Sequence, residues 1–182
     1  MKRDGELPVI ASVTKDEQIA VAAASRVRRV NLLAANIVHL DDVVRRLKEA
    51  GKQVFVHVDM ISGLGRDLSA VQYLAETFRI DGILSTKSQM ISFGKQFNLK
   101  TIQRVFAIDS SALETAGKMI ASGSPDEVEL MPALMPRVIR EMKAKWSKPL
   151  IVGGLIRTQE EIDTALEAGA DYVSVGNPKF WK

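Results

Sequence analysis

The chain has no cysteine among its 182 residues. That removes a disulfide framework, a thiol nucleophile and a zinc–thiolate site together. Aromatic residues make up only 5%, too few for the usual base-stacking platform of a single-strand nucleic-acid binder. No apolar run approaches the ~18 residues a membrane span needs. The opening Met1-Lys2-Arg3-Asp4-Gly5-Glu6 is charged and leads into no secretory segment. The expectation is a cytoplasmic protein with no membrane partner. A surplus of one charge is lacking too: the net +3 neither demands nor forbids nucleic acid, because a dedicated binder often shows a denser basic patch.

What is present is ordinary for a soluble globular protein, with 46% hydrophobic and 26% charged residues. The length fits one domain, residues 1–182, able to bury roughly two-thirds or more of its surface. Strand-like and helix-like segments alternate throughout. Strands are expected to begin near Pro8, Arg29, Gln53, Gly82, Thr101, Glu127, Pro149 and Tyr172, about every twenty residues and without visible sequence repetition. Most are continuous apolar runs such as Val54-Phe55-Val56, as in strands covered on both faces. Between them, Leu40–Ala50 and Leu68–Phe78 carry helix-period apolar residues. Thr158/Glu161, Ser111/Glu114 and Thr14/Glu17 match the capping-box spacing.

Strict β–α alternation implies a parallel sheet with right-handed crossovers. Eight units favour a small (β/α)8 barrel of the TIM type over an open doubly wound sheet, which remains the alternative. Lys182 follows the last strand too closely for a full eighth helix. The last helix is therefore expected to be missing or shortened, its flank covered by Phe180 and Trp181 or by a partner subunit of a homo-oligomer.

Two glycine turns, Val152-Gly153-Gly154-Leu155 and Val175-Gly176-Asn177, follow the last two strands. Glycine uncovers backbone N–H groups, and the loops after strands seven and eight of such barrels cup phosphates. A plain strand-to-helix turn is the simpler reading of the same pair. Gly63-Leu64-Gly65 is no dinucleotide loop, because the third glycine position falls on Leu68. The other strand ends are unusually polar: His57 and Asp59 on the third, Lys87 after the fourth, Arg104 within the fifth and Glu129 within the sixth. These groups form either an internal ion network with a core histidine, since buried charges pair, or a site for a small phosphorylated polyol. Basic clusters at Arg26, Arg28 and Arg29 and at Arg137, Arg140, Lys143, Lys145 and Lys148 permit RNA contact without establishing it. The second lies near a helix C-terminus, where cations are favourable anyway.

Several segments, in order, resemble a known family: Val56-His57-Val58-Asp59-Met60-Ile61-Ser62-Gly63-Leu64, Asp81-Gly82-Ile83-Leu84-Ser85-Thr86-Lys87, Gln103-Arg104 through Asp109-Ser110-Ser111, Val128-Glu129-Leu130-Met131-Pro132 and Val152-Gly153-Gly154-Leu155-Ile156. From about Pro8 to the end the chain is similar to the glycerol-3-phosphate-responsive antiterminators, regulators of glycerol uptake operons. The resemblance implies a non-enzymatic barrel that senses glycerol 3-phosphate and acts on leader mRNA. It implies no catalytic residues, no metal and no cofactor beyond that effector. Ala133 replaces an expected glycine, and Gly176-Asn177 replaces more hydroxyl-rich residues; both bear on the ligand more than on the fold. On this reading Gly153, Gly154, Gly176 and Asn177 hold the phosphate. Lys87 and Arg104 add charge, His57, Asp59 and Glu129 orient hydroxyls, and Ser62 to Asp67 move. The rival is an isomerase, epimerase or aldolase acting on a small phosphorylated metabolite, with His57 or Glu129 as base and Lys87 forming a Schiff base.

Overall fold

Apolar runs with no polar face need cover on both sides, and a closed sheet wrapped in helices gives them that. A computed structural model describes residues 7–182. Strands β1 (Val9–Val13), β2 (Arg29–Leu32), β3 (Gln53–His57), β4 (Gly82–Ser85), β5 (Lys100–Phe106), β6 (Glu127–Met131), β7 (Leu150–Gly153) and β8 (Tyr172–Val175) pair in parallel in that order. β8 closes on β1 through Val9 opposite Val173 and Ala11 opposite Val175. The barrel is therefore closed, and the open-sheet alternative falls.

Helices α1 (Glu17–Ala24), α2 (Ile37–Glu49), α3 (Leu68–Glu76), α4 (Ser88–Gln96), α5 (Ser110–Gly123), α6 (Pro136–Lys145) and α7 (Gln159–Glu167) fill the crossovers. α2 buries Leu40, Val43, Val44 and Leu47 and starts three residues before the first of them, where Asn36 accepts from Val38 N. Thr158 and Glu161 form the expected capping box on α7. The other two boxes do not form. Asp109 lies beyond the end of β5 and caps α5 by accepting from Ala112 N at 2.7 Å, so Ser111 falls inside the helix. At α1 the Gln18 side chain reaches back to Thr14 N and Lys15 N. A longer side chain inside the first turn has replaced the cap.

After β8 the described residues hold only a single 3-10 turn, Pro178–Phe180. Trp181 is fully buried and donates from Nε1 to the Val175 carbonyl at 2.8 Å. Phe180 packs beside it against the core. This pair stands in for the missing helix.

Ile10, Phe55, Leu84, Ile102 and Ile151 form an apolar layer inside the barrel, distinct from the larger core between strands and helices. Below it, at the N-terminal rim, Asp81, Asp126 and Asp171 sit just before β4, β6 and β8. Each accepts from the backbone N–H of the preceding strand: Val54 N at 2.7 Å, Thr101 N at 2.8 Å and Leu150 N at 2.7 Å. These aspartates recur at an interval of 45 residues, so two βα units form a repeat that the bare sequence hides.

A polar layer at the C-terminal mouth

Side chains two residues apart on a strand point the same way. One step above the apolar layer the barrel interior therefore presents Ser12, Asn31, His57, Arg104, Glu129, Gly153 and Ser174. All but the glycine are buried polar side chains. Ser12 lies opposite Asn31 and Gly153 opposite Ser174 in the strand registers.

Glu129 is fully buried and is the hub. Arg104 Nε donates to its Oε2 at 2.7 Å and Ser174 Oγ to its Oε1 at 2.5 Å. A buried carboxylate is tolerable only with such partners. Arg104 uses only its Nε here; its Nη1 and Nη2 find no acceptor among the described residues. Gly153 makes the arrangement possible. A Cβ there would lie deep inside contact distance of Ser174 Oγ, 3.1 Å from the Ser174 carbonyl oxygen and 3.4 Å from Glu129 Oε1.

His57 ends β3, and burial pushes its imidazole from 6.5 down to about 4, with the Arg104 cation acting in the same direction. The ring is neutral at pH 7, and its Nδ1 has no hydrogen-bond partner; Asp59 Oδ2 stands 3.9 Å away. Asp59 itself lies beyond the strand, in the turn Val58–Met60. Its carboxylate accepts from Ser85 Oγ, Thr86 N and Thr86 Oγ1 at 2.8–3.1 Å, tying the end of β3 to the end of β4. Lys87 is not in the buried network: it is exposed at the start of α4, with no ion pair among the described residues. The internal-network reading is thus realised in Arg104 and Glu129, while Lys87 and Asp59 stay outside it. No three His, Asp or Glu side chains come together as a metal site needs among the described residues.

The glycine turns stand on the rim above Gly153 and Ser174. Gly154 has φ 83° and Leu155 φ 65°, a left-handed pair in which a non-glycine residue is held out of its preferred region. The backbone N–H groups of Gly154, Leu155, Gly176 and Asn177 donate to no carbonyl or side chain among the described residues. Runs of bare N–H groups in such turns form anion-binding concavities.

Ser12, Asn31 and Ser174 were not singled out from the sequence. Asn31 is fully buried and neither of its amide atoms has a partner. The signal was available: a polar residue at the inward parity of an apolar strand, two places after Arg29 and two before Leu33.

The profile of a family described as glycerol-3-phosphate responsive antiterminators matches residues 9–181. The chain belongs to that family. It is 33% identical over 174 residues to the uncharacterized protein YgcP of Escherichia coli K12, covering 96% of this chain and 91% of that protein. The glycerol uptake operon antiterminator regulatory protein of Listeria monocytogenes is 30% identical and superposes with a TM-score of 0.92, over 98% of this chain and 96% of that one. A glycerol uptake operon antiterminator-related protein of Thermotoga maritima is 29% identical with a TM-score of 0.83, over 95% and 96%. More distant barrels, 10–15% identical and including aldolases and isomerases, share the fold alone. The antiterminator family is regulatory.

Proposed function

We propose that this antiterminator-family barrel senses glycerol 3-phosphate at its C-terminal mouth and acts in the cytoplasm on the leader RNA of glycerol-utilisation operons. One observation supports the ligand half above all. Unpartnered donors converge there: the N–H groups of Gly154, Leu155, Gly176 and Asn177 at the rim, and the free Nη atoms of Arg104 beneath. A dianion satisfies such a set. Lys87 adds charge from the edge. Asn31 and neutral His57, both with unpartnered buried atoms, take the glycerol hydroxyls, while Glu129 acts through Arg104, which it holds. The loop from Ser62 to Asp67 moves on binding.

A ligand shifts a regulator only by its differential affinity for two states. Titration calorimetry should therefore show glycerol 3-phosphate binding and glycerol binding at least a hundredfold more weakly; equal affinities refute the phosphate cup. Retardation of leader RNA that strengthens with glycerol 3-phosphate tests the output, and no retardation at low salt with or without ligand refutes it. No carbonyl chemistry is assigned to Lys87, so borohydride treatment with a panel of sugar phosphates leaves no adduct on it. A trapped adduct establishes the enzyme instead.

A further inference from the structure

The N-terminal rim, at the opposite end from the polar layer, has its own charge pattern. Arg26, Arg28, Arg79, Lys95, Lys100 and Lys145 all lie at the feet of strands or the ends of the helices that return there. All six are exposed, and none pairs with a carboxylate among the described residues. The acids of the same rim are engaged within the barrel. Asp81, Asp126 and Asp171 each hold a strand N–H. Asp81 also takes Lys48 at 2.8 Å, Asp171 takes Lys143, and Glu127 takes Arg29 at 2.5 Å. Glu49, Glu76 and Glu167 are the exposed carboxylates at the ends of α2, α3 and α7; Glu49 pairs with Arg45 and Glu76 accepts from Gln72.

The helix dipole accounts for cations in a last helical turn. It does not account for Arg26, Arg28, Arg79 and Lys100, which lie outside helices. Arg28 is the telling one. It stands directly before β2, the place where β4, β6 and β8 carry their structural aspartates. One repeat has exchanged an acid that braces the strands for a cation that faces solvent. Arg28 and Lys100 also flank a depression of about 490 Å³ at this rim, whose wall holds Arg29 lying 4.1 Å over the Phe55 ring and its partner Glu127.

We propose that this rim is where single-stranded leader RNA docks. Arg26, Arg28, Arg79 and Lys100 track its phosphates, contacts that give affinity without reading bases. A positively charged surface that follows the backbone gives sequence-independent affinity that falls with salt. The inference rests on the RNA half of the reading above and adds its location: effector and RNA occupy opposite ends of one barrel. A metabolite at the upper layer then acts on the rim through the strands that join them, and the RNA does not cover the ligand.

The test uses fluorescence anisotropy of a labelled leader transcript from upstream of the glycerol-utilisation genes of the same genome, across a salt series. The double variant Arg28→Ala/Lys100→Ala should bind at least tenfold more weakly near 100 mM salt. Its log–log salt slope should be shallower by about 1.4, since each single-strand phosphate contact contributes roughly 0.7. Lys15→Ala/Lys118→Ala, away from this face, should bind as wild type does. Glycerol 3-phosphate affinity, measured on the same preparations, should be unchanged in both and shows that both are folded. Should the first variant lose that affinity, Arg26→Ala/Lys145→Ala replaces it with the same expectation. Wild-type RNA affinity and slope in the rim variants overturn this docking face and leave the RNA reading standing. Absence of RNA binding by the wild type overturns both.

Discussion

Gly153→Ala is the sharpest perturbation that the polar layer offers. The added methyl meets Ser174 Oγ well inside contact distance and the Ser174 carbonyl oxygen at 3.1 Å. The strand register fixes the carbonyl, since Gly153 lies opposite Ser174, so the hydroxyl must yield. Yielding breaks its 2.5 Å hydrogen bond to the fully buried Glu129. Overpacking costs roughly 1–3 kcal/mol, and a lost hydrogen bond to a buried charge roughly 1.5–3 kcal/mol. Together the change should cost about 3–5 kcal/mol, lowering the melting temperature by on the order of 6–20 °C for a chain of this size. Stability alone would not identify the cause, so the measurement is a double-mutant cycle with Ser174→Ala in urea melts. Ser174→Ala alone loses only the hydrogen bond. In its background the hydroxyl is gone, and Gly153→Ala should cost under about 2 kcal/mol. The expected coupling is at least about 1 kcal/mol. Costs that add to within about 0.5 kcal/mol refute the account of Gly153 as the residue that makes room for Ser174 and Glu129.

Asn31→Leu removes two unpartnered buried amide atoms, so the ligand-free protein should lose no stability in thermal melts while glycerol 3-phosphate affinity falls at least tenfold by calorimetry. Unchanged affinity removes Asn31 from the site. Arg104→Leu strands a buried carboxylate and should cost roughly 3–5 kcal/mol; Arg104→Leu/Glu129→Leu should recover much of that stability in urea melts yet still fail to bind ligand. The His57 imidazole falls from 6.5 to about 4 on folding. Between those values the unfolded chain binds more protons, so stability is complete above pH 6.5 and is lost as pH falls through 4, by about 3 kcal/mol in all. Glu127, whose carboxyl burial raises, contributes with the opposite sign, so the comparison is with His57→Gln, which should flatten the slope in that window; an unaltered slope refutes the assignment. Deleting 180–182 removes the fully buried Trp181 and should cost roughly 3–5 kcal/mol, read from the urea midpoint by circular dichroism.

The barrel was legible because strand and helix periods differ and alternate eight times, a signal that needs no knowledge of contacts. Strand starts came within a residue of where they stand, for the run of apolar residues marks them. Helix starts were less legible. Ser111 and Thr14 carry the right spacing, yet Asp109 starts its helix two residues earlier by accepting from Ala112 N, and Gln18 takes the Thr14 N that Glu17 would hold; only three-dimensional competition decides among nearby acceptors. The site was legible where polarity was loud, at His57, Arg104 and Glu129. Asn31 and Ser174 are small and uncharged, and their parity becomes meaningful only once the inward face of each strand is known. Lys87 enters the expected charge network because it follows the fourth strand, and Asp59 because it shares the parity of His57 on the third. Both stand beyond the strand ends, where side-chain direction no longer obeys the two-residue period.

The two ends of the barrel treat their polar groups in opposite ways. At the lower end three aspartates are held by strand N–H groups and neighbouring side chains, and two cations are buried. Lys52 donates to the Ser25 and Val27 carbonyls, and Arg29 lies 4.1 Å above the Phe55 ring and bridges to Glu127, its Nε alone lacking a partner. At the upper end Asn31 and His57 keep unpartnered atoms in the interior, and Leu155 is held at a positive φ. Each such feature costs folding free energy, and the upper layer gathers three unpartnered buried atoms against one, Arg29 Nε, at the lower end, a concentration that a purely structural barrel does not call for. A phosphate-bearing polyol would relieve most of them at once. Its binding should therefore raise the melting temperature of the wild type and leave Asn31→Leu/Arg104→Leu unmoved, a contrast that separates a receptor from a merely polar core.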